Sequence, residues 1–169
     1  MTQHDAPSFG VSSASFQDGQ TLPAAQRGTS TGAGAGDESP QLGWSGAPAG
    51  TLSYAVTMFD PDAPGRGGFW HWAVLDIPAD VTSLPAGAGS RGGQLPPGAF
   101  QLANDGGGTG YMGAAPPKGH GPHRYIVTVH ALDVAHTGLD AGARAGKLEA
   151  HLAPHTLAKA SLTGIYERR

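Results

Sequence analysis

The sequence predicts a mainly β protein, an antiparallel β-sandwich with a few short helices, one of them near the C-terminus. Short segments of alternating or β-branched residues recur along the chain, as in strands. Long connections separate them, and 28 glycines and 14 prolines supply about a quarter of the 169 residues. This length suits one domain with a sizeable core. We expect a flexible tail over residues 1–8 and a single domain over residues 9–169.

Each apolar segment of the chain predicts a strand. In residues 53–59, Tyr54, Val56 and Met58 alternate with their neighbours, so at least one face of that strand is buried. Residues 70–77 and 124–132 are rich in aromatic and β-branched residues, which favour strands. The segments predicted as strands are residues 9–16, 53–59, 70–77 and 124–132.

The C-terminal stretch, residues 143–166, predicts helix instead. Leu148 and Leu152 are spaced for one helical face, and alanine is frequent. Pro154 should kink or split this helix. Gly164 would end it.

Composition excludes several classes of function. The chain has no cysteine, so thiol catalysis, disulfides and thiolate metal sites are excluded. Its net charge is −3, and no basic run occurs beyond Arg168–Arg169, so we expect no nucleic-acid partner. No stretch approaches the roughly 20 apolar residues that span a bilayer. The N-terminus lacks a signal-peptide pattern, so we expect a cytoplasmic protein.

Two segments place titratable residues where proline-rich loops meet strands. The first is DPDAP at 60–64 with FWHW at 69–72, and the second is GAAPPKGHGPHRY at 113–125. Long loops of this kind are often functional. Two histidines, a carboxylate and a phenol could converge there with backbone N–H groups. Such donors suit a phosphate or carboxylate oxygen, which predicts a small, preorganised anion pocket.

Each of these residues also has a purely structural interpretation. Asp60 could cap a turn, and His71 and Tyr125 could be ordinary core residues. Tyr125 lies two residues after His123, so both side chains share one strand face, which favours the pocket. His120 lies within a turn and is expected to be solvated.

Together with SPQLGW at 39–44 and LTGIYER at 162–168, these segments resemble the phosphatidylethanolamine-binding protein family, in particular the bacterial branch often labelled Raf-kinase-inhibitor-like. The resemblance covers about residues 9–168. It implies a β-sandwich with a small cavity for phosphate-like or headgroup-like anions. Carried over by position, the implied ligand-binding residues are Asp60, His71, Gly113 through its backbone, Pro116, His123 and Tyr125. The implied supporting residues are Trp70 and Trp72 near the rim and an ion pair between Asp62 and Arg124.

The resemblance implies a non-catalytic binding protein without metal or cofactor. Its ligand would be a small anion or zwitterion such as phosphate or a phosphoethanolamine-like group. The resemblance also implies a homodimer and a protein partner, which would be a kinase or a protease that this protein inhibits. The run at residues 113–117 lacks the thiol of some relatives, and the long C-terminal helix of eukaryotic members is not evident.

Two alternatives remain open at this point. A metal-dependent or His/Asp hydrolase could use Asp60, His71 and His123, although the HExxH motif is absent from the sequence. A structural or interaction module with a vestigial pocket is the other alternative, because fold does not fix function.

Overall fold

The computed structural model describes residues 8–32, 34–65 and 67–169. Most of the predicted tail, residues 1–7, lies outside the described residues. The strands are β1 (Gly10–Ser12), β2 (Leu42–Ser45), β3 (Ser53–Asp60), β4 (Phe69–Pro78), β5 (Ser83–Leu84), β6 (Phe100–Gln101), β7 (His123–Leu132) and β8 (Thr156–Tyr166). The α-helix α1 is Leu148–Leu152, and 3-10 turns span Ala24–Gln26, Thr29–Thr31, Ala145–Lys147 and Ala153–His155.

The strands form two antiparallel sheets, which confirms the predicted fold class. The small sheet has the order β1-β2-β5, and the large sheet has the order β6-β4-β3-β7-β8. The inner face of the large sheet packs on the small sheet, where Leu42, Trp44 and Leu84 are buried. This core between two sheets is the defining feature of a sandwich.

The large sheet is covered on both faces around β3. Val56 and Met58 point into the core between the sheets, whereas Ala55 faces the opposite side. There Leu148 and Leu152 of α1 pack over the sheet, as their helical spacing predicts. Because both faces are covered, β3 is almost entirely buried.

The three central strand predictions are confirmed to within one residue at each end. Residues 53–59, 70–77 and 124–132 correspond to β3, β4 and β7. The first predicted strand, residues 9–16, is much shorter, because only Gly10–Ser12 pairs with β2. Beyond it, a main-chain amide hydrogen bonds the Gln41 side chain rather than a strand.

The predicted C-terminal helix is wrong beyond α1. Pro154 lies in the 3-10 turn that ends the helix, and the chain then enters β8. This strand pairs with β7 from Thr156 to Tyr166, a tertiary interaction that outweighs the helical propensity of its alanines. Gly164 is not a helix stop. It lies within β8, and a Cβ there would come within 2.5 Å of the Leu22 side chain.

Candidate functional site

The sheet order brings the two loop segments to one end of the molecule. Strand β3 runs antiparallel to both β4 and β7, so its last residue lies beside the first residues of both neighbours. Asp60 pairs with Phe69 at the start of β4. Phe59 pairs with Ile126, which places Asp60 next to Tyr125.

A β-bulge turns His71 toward this end of the inner face. Phe59 pairs with Trp70 and Met58 with Trp72, which leaves His71 as the extra residue of β4. A bulge of this kind redirects side chains that regular alternation would place elsewhere. His71 therefore joins the cavity side of the sheet.

His71 is held in one orientation as a neutral imidazole. Its Nδ1 lies 2.8 Å from the carbonyl oxygen of Met112 and donates to it. Burial lowers the pKa of His71, and this effect exceeds the opposite effects of the Met112 hydrogen bond and the Asp60 charge. The tautomer that donates from Nδ1 leaves Nε2 as an acceptor.

Asp60, His123 and His120 form a chain of hydrogen bonds. His123 Nδ1 lies 2.6 Å from Asp60 Oδ2, and both residues are buried. His123 Nε2 lies 2.6 Å from His120 Nδ1. Asp60 Oδ1 accepts a hydrogen bond from the backbone amide of Asp62 at 2.8 Å. His120 is exposed, as predicted for this turn, but its ring also contacts the buried His123 imidazole, which was not expected.

Tyr125 has a buried hydroxyl without a hydrogen-bond partner among the described residues. Its ring lies near both histidine rings, 5.3 Å from that of His71 and 6.4 Å from that of His123 between centroids. Burial raises the pKa of Tyr125, and the nearby Asp60 charge raises it further. The hydroxyl is therefore neutral, and although the Asp60 carboxylate lies close to it, no described group makes a well-formed hydrogen bond with it.

Asp60, His71, His123 and Tyr125 all line one cavity of about 210 Å³. This volume is below the roughly 300–1,000 Å³ of sites for drug-sized ligands, so it suits one small group. Its lining is Asp60, Ala63, Pro64, Phe69, His71, Met112, Ala115, Pro116, Pro117, His123 and Tyr125. Five of the six predicted ligand-binding residues, all except Gly113, thus surround a single space. The Ala63–Pro64 peptide bond is trans.

Gly113 and the two tryptophans do not line this cavity. The Gly113 amide donates to Asp37 Oδ1 at 2.8 Å, so it is not available to an anion. Trp70 packs against Phe59 with tilted rings at 4.4 Å between centroids, on the opposite face of the sheet. Trp72 is fully buried in the core. The expectation of two rim tryptophans is corrected by the bulge, because Phe69 and His71 of this segment line the cavity and the tryptophans do not.

The expected ion pair of Asp62 and Arg124 is present, between the loop after β3 and the start of β7. Arg124 donates from Nε to Asp62 Oδ2 at 3.0 Å and from Nη2 to Asp62 Oδ1 at 2.9 Å. The Arg124 side-chain hydrogen bonds lower the pKa of Asp62 to about 2. The Arg124 amide also donates to Asp62 at 2.9 Å, so the pair ties the loop after β3 to the start of β7.

A larger cleft of about 840 Å³ lies on the other side of Met112 and is rich in glycine. Its buried polar side chain Asn104 donates to the Gly110 carbonyl at 3.0 Å. Gln101 Oε1 accepts from Trp72 at 2.7 Å. These groups hold the loops together, so the smaller cavity is the better candidate site.

Among residues 8–32, 34–65 and 67–169, no three His, Asp or Glu side chains are grouped to hold a metal ion. His123 uses both ring nitrogens for Asp60 and His120. In the same ranges, the structure contains no helix with the length and apolarity needed to cross a membrane.

The sandwich and its end cavity define a member of the phosphatidylethanolamine-binding protein family. A profile of that family matches residues 12–167, and the chain therefore belongs to it. The chain is 45% identical to the Escherichia coli K12 protein YbhB over 151 residues, which cover 89% of this chain and 95% of YbhB. It is 43% identical to YbcL of the same organism over 163 residues, which cover 96% of this chain and 89% of YbcL.

The structural comparison agrees with the sequence comparison. The crystal structure of E. coli YbcL, described as a new member of the mammalian family, matches with a TM-score of 0.91 at 42% identity. That match covers 95% of this chain and 99% of the YbcL chain. The homologue CT736 from Chlamydia trachomatis matches with a TM-score of 0.79 at 26% identity, over 96% of this chain and 99% of that chain.

Proposed function

We propose that this chain is a non-catalytic binding protein whose cavity takes one phosphate-like group, either free or as part of a zwitterionic headgroup. The observation that carries the proposal is the convergence of Asp60, His71, His123 and Tyr125 on one small cavity. The prolines of the lining lose little entropy on ordering, which supports a preorganised site.

Tyr125 and His71 are the groups that would contact the oxyanion. The unpartnered Tyr125 hydroxyl would donate to it and recover the hydrogen bond that burial denies. The free Nε2 of His71 would meet the anion as a donor after taking up a proton, or would share the proton of a hydrogen phosphate. Either route gives a charge-assisted hydrogen bond, the stronger kind.

The Asp60 carboxylate does not oppose this role. Its two oxygens already accept from His123 Nδ1 and from the Asp62 amide, which spreads its charge over fixed donors. Since those lone pairs are engaged, the ligand's phosphate would be recognised more strongly than an ammonium group. We therefore expect phosphate and phosphoethanolamine to bind with similar affinity, and ethanolamine alone to bind weakly.

The Asp60–His123 pair has the form of the acid–base half of a hydrolase triad, in which a carboxylate orients an imidazole. Here the atom 2.6 Å from His123 Nε2 is an imidazole nitrogen of His120, not a hydroxyl. Imidazole in that position supports a binding role for the pair over nucleophilic attack.

Isothermal titration with inorganic phosphate, O-phosphoethanolamine and ethanolamine at pH 6 tests the proposal. We expect the two phosphates to bind the intact protein, and His71→Ala to weaken binding by at least about tenfold, as loss of a charge-assisted hydrogen bond does. His123→Ala should also weaken binding, because it leaves the Asp60 carboxylate beside the anion without its imidazole donor. His136→Ala is the matched control, because that side chain is 81% exposed. Absence of phosphate binding, or equal binding by all variants, would refute the proposal.

The proposal also includes a homodimer, a cytoplasmic location and a protein partner that ligand binding modulates. These points rest on the sequence and on the family resemblance. Light scattering after gel filtration should give about twice the chain mass of 17.0 kDa. A mass of one chain at micromolar concentration would contradict the dimer without affecting the cavity.

A further inference from the structure

A second concave surface gathers positive charge from three separate parts of the chain. Arg27, Lys118 and the final pair Arg168–Arg169 line a cleft of about 510 Å³. Its other lining residues are Ser30, Thr31, Gly32, Tyr166 and Glu167. The protein as a whole carries a net charge of −3 with only 10 lysines and arginines, so four of them in one cleft is a marked concentration.

Arg27 is fixed in place with its outer donors free. Its Nε donates to the Leu22 carbonyl at 3.0 Å, and its guanidinium carbon lies 4.2 Å from the centroid of the Tyr166 ring. The backbone of the Arg27 segment is held by pairing with Ala114. Among the described residues, neither terminal nitrogen of Arg27 has an acceptor, and a guanidinium fork of this kind suits an oxyanion.

Three of the four positive charges of this cleft lack an acidic partner in the described part of the chain. Glu167 is the only acidic lining residue, and its carboxylate contacts Arg169 at 3.6 Å. No described carboxylate forms an ion pair with Arg27, Lys118 or Arg168. Three cations are thus left to attract a ligand from solution.

The cleft adjoins the cavity but is separate from it. Pro116 and Pro117 line the cavity, and the next residue, Lys118, lines the cleft. Arg168 stabilises the shared wall: its carbonyl accepts from the Gly119 amide at 2.7 Å, and its side chain approaches the Pro116 carbonyl at 3.5 Å.

We propose that this basic cleft is a second anion site, which binds a multiply charged phosphate-bearing group. Three unpaired cations match a ligand with two or more negative charges better than a single carboxylate. The hydroxyls of Ser30 and Thr31 add neutral donors at the same surface. The cleft uses none of the cavity side chains and binds its ligand whether or not the cavity is functional.

Titration of the whole protein with inorganic pyrophosphate at low salt, followed by calorimetry and by backbone amide NMR, tests this site. We expect saturable binding that shifts the amide signals of Lys118 and Arg168. Arg27→Gln and Lys118→Gln should each weaken it about fivefold, as loss of one surface charge contact does. Lys118 is exposed, so its variant will fold even if the Arg27 variant does not.

Arg91→Gln and Tyr125→Phe are the controls. Arg91 is an exposed arginine of the glycine-rich cleft, so its loss changes net charge equally without touching the basic cleft. Tyr125→Phe should leave pyrophosphate binding here intact, which separates this site from the cavity. Equal weakening by Arg91→Gln and Lys118→Gln would overturn the proposal.

Vesicle sedimentation distinguishes the source of the phosphate. Binding to vesicles that contain an anionic phospholipid, but not to pure phosphatidylcholine, and loss of it in Lys118→Gln would assign the site to lipid headgroups. Binding to pyrophosphate alone would assign it to soluble phosphates. Both results support the site, and failure of both probes refutes it.

Discussion

Tyr125 is the residue whose hydroxyl should favour anion binding and lower the stability of the folded protein. A buried hydroxyl without a partner costs free energy in the unliganded protein. We expect Tyr125→Phe to raise the free energy of unfolding by about 1 kcal/mol in urea titration, while it weakens phosphate binding. The aromatic ring and its packing remain unchanged.

Tyr111 supplies the matched comparison for this substitution. Its buried hydroxyl donates to the Gln26 carbonyl at 2.7 Å, so its removal leaves that carbonyl with only the longer bond from the Ala114 amide at 3.3 Å. Tyr111→Phe should therefore lower the free energy of unfolding by about 1–2 kcal/mol and spare ligand binding. A loss of stability in Tyr125→Phe comparable to that in Tyr111→Phe would show that the Tyr125 hydroxyl has a partner in solution.

His71 should couple anion binding to proton uptake. Burial lowers the pKa of this imidazole in the free protein, and a bound anion would raise it again. The bound state then holds more protons than the free state, so affinity rises as pH falls. Sulfate is the best probe, because it does not titrate between pH 8 and pH 5.

We expect sulfate affinity to increase over this range by up to about tenfold per pH unit. Asp60, His120 and His123 belong to the same site, so the His71→Ala variant is needed to assign the effect. Its pH profile should be much flatter. An unchanged slope in this variant would assign the proton to another group.

Most cavity residues were predictable because they lie within two residues of a strand end, where chain direction fixes the side-chain face. Asp60, His123 and Tyr125 follow this rule. The contact of His120 was not predictable, because its ring direction depends on the positive φ angles of Gly119 and Gly121 on either side. A sequence shows the glycines but not the turn they make.

At the scale of elements, β8 shows how a local pattern can mislead. Its alanines and Leu148–Leu152 upstream read as one helix, yet residues after Pro154 complete the large sheet against β7. The pairing partner lies about thirty residues away, so no local window contains it. The alternation of Ala160 and Leu162, which are buried, with polar residues that are more exposed was the sign that indicated a strand.

Substitution of Gly164 discriminates strand from helix in solution. In β8 the added methyl would meet Leu22 at 2.5 Å and Phe16 at 3.2 Å, so Gly164→Ala should lower the free energy of unfolding by about 1–3 kcal/mol. In the interior of a helix the same change would stabilise the protein by up to about 1 kcal/mol. The control is Gly142→Ala, which meets no atom within 4 Å and should be neutral or slightly stabilising.

At the scale of the whole molecule, buried neutral histidines should set the acid limit of stability. His130 is buried in the large sheet with Nε2 3.2 Å from Thr57 Oγ1 and with Nδ1 unpartnered among the described residues. Burial, with a smaller effect of the Lys159 charge, lowers the pKa of His130 to about 4. The unfolded chain binds this proton near pH 6.5, so stability falls as pH drops from 6.5 to 4.

The expected loss from His130 is about 3 kcal/mol in the free energy of unfolding between pH 7 and pH 4. His71 adds to it, because its pKa is lowered in the same direction. His130→Leu should flatten the profile from urea titrations at several pH values, whereas the exposed His136→Gln should not. A profile in His130→Leu as steep as that of the parent protein would contradict this account.

Because β3 lies antiparallel between β4 and β7, the loop that follows β3 and the loop that precedes β7 are attached to the same edge of a rigid sheet. Insertions or exchanges in residues 61–68 and 113–122 would reshape the opening while the strands below keep their register. A graft of both loops from a relative with a different ligand should transfer its preference without a redesign of the core. The fold thus separates the strands, which must stay constant for folding, from the cavity loops, which are free to diversify.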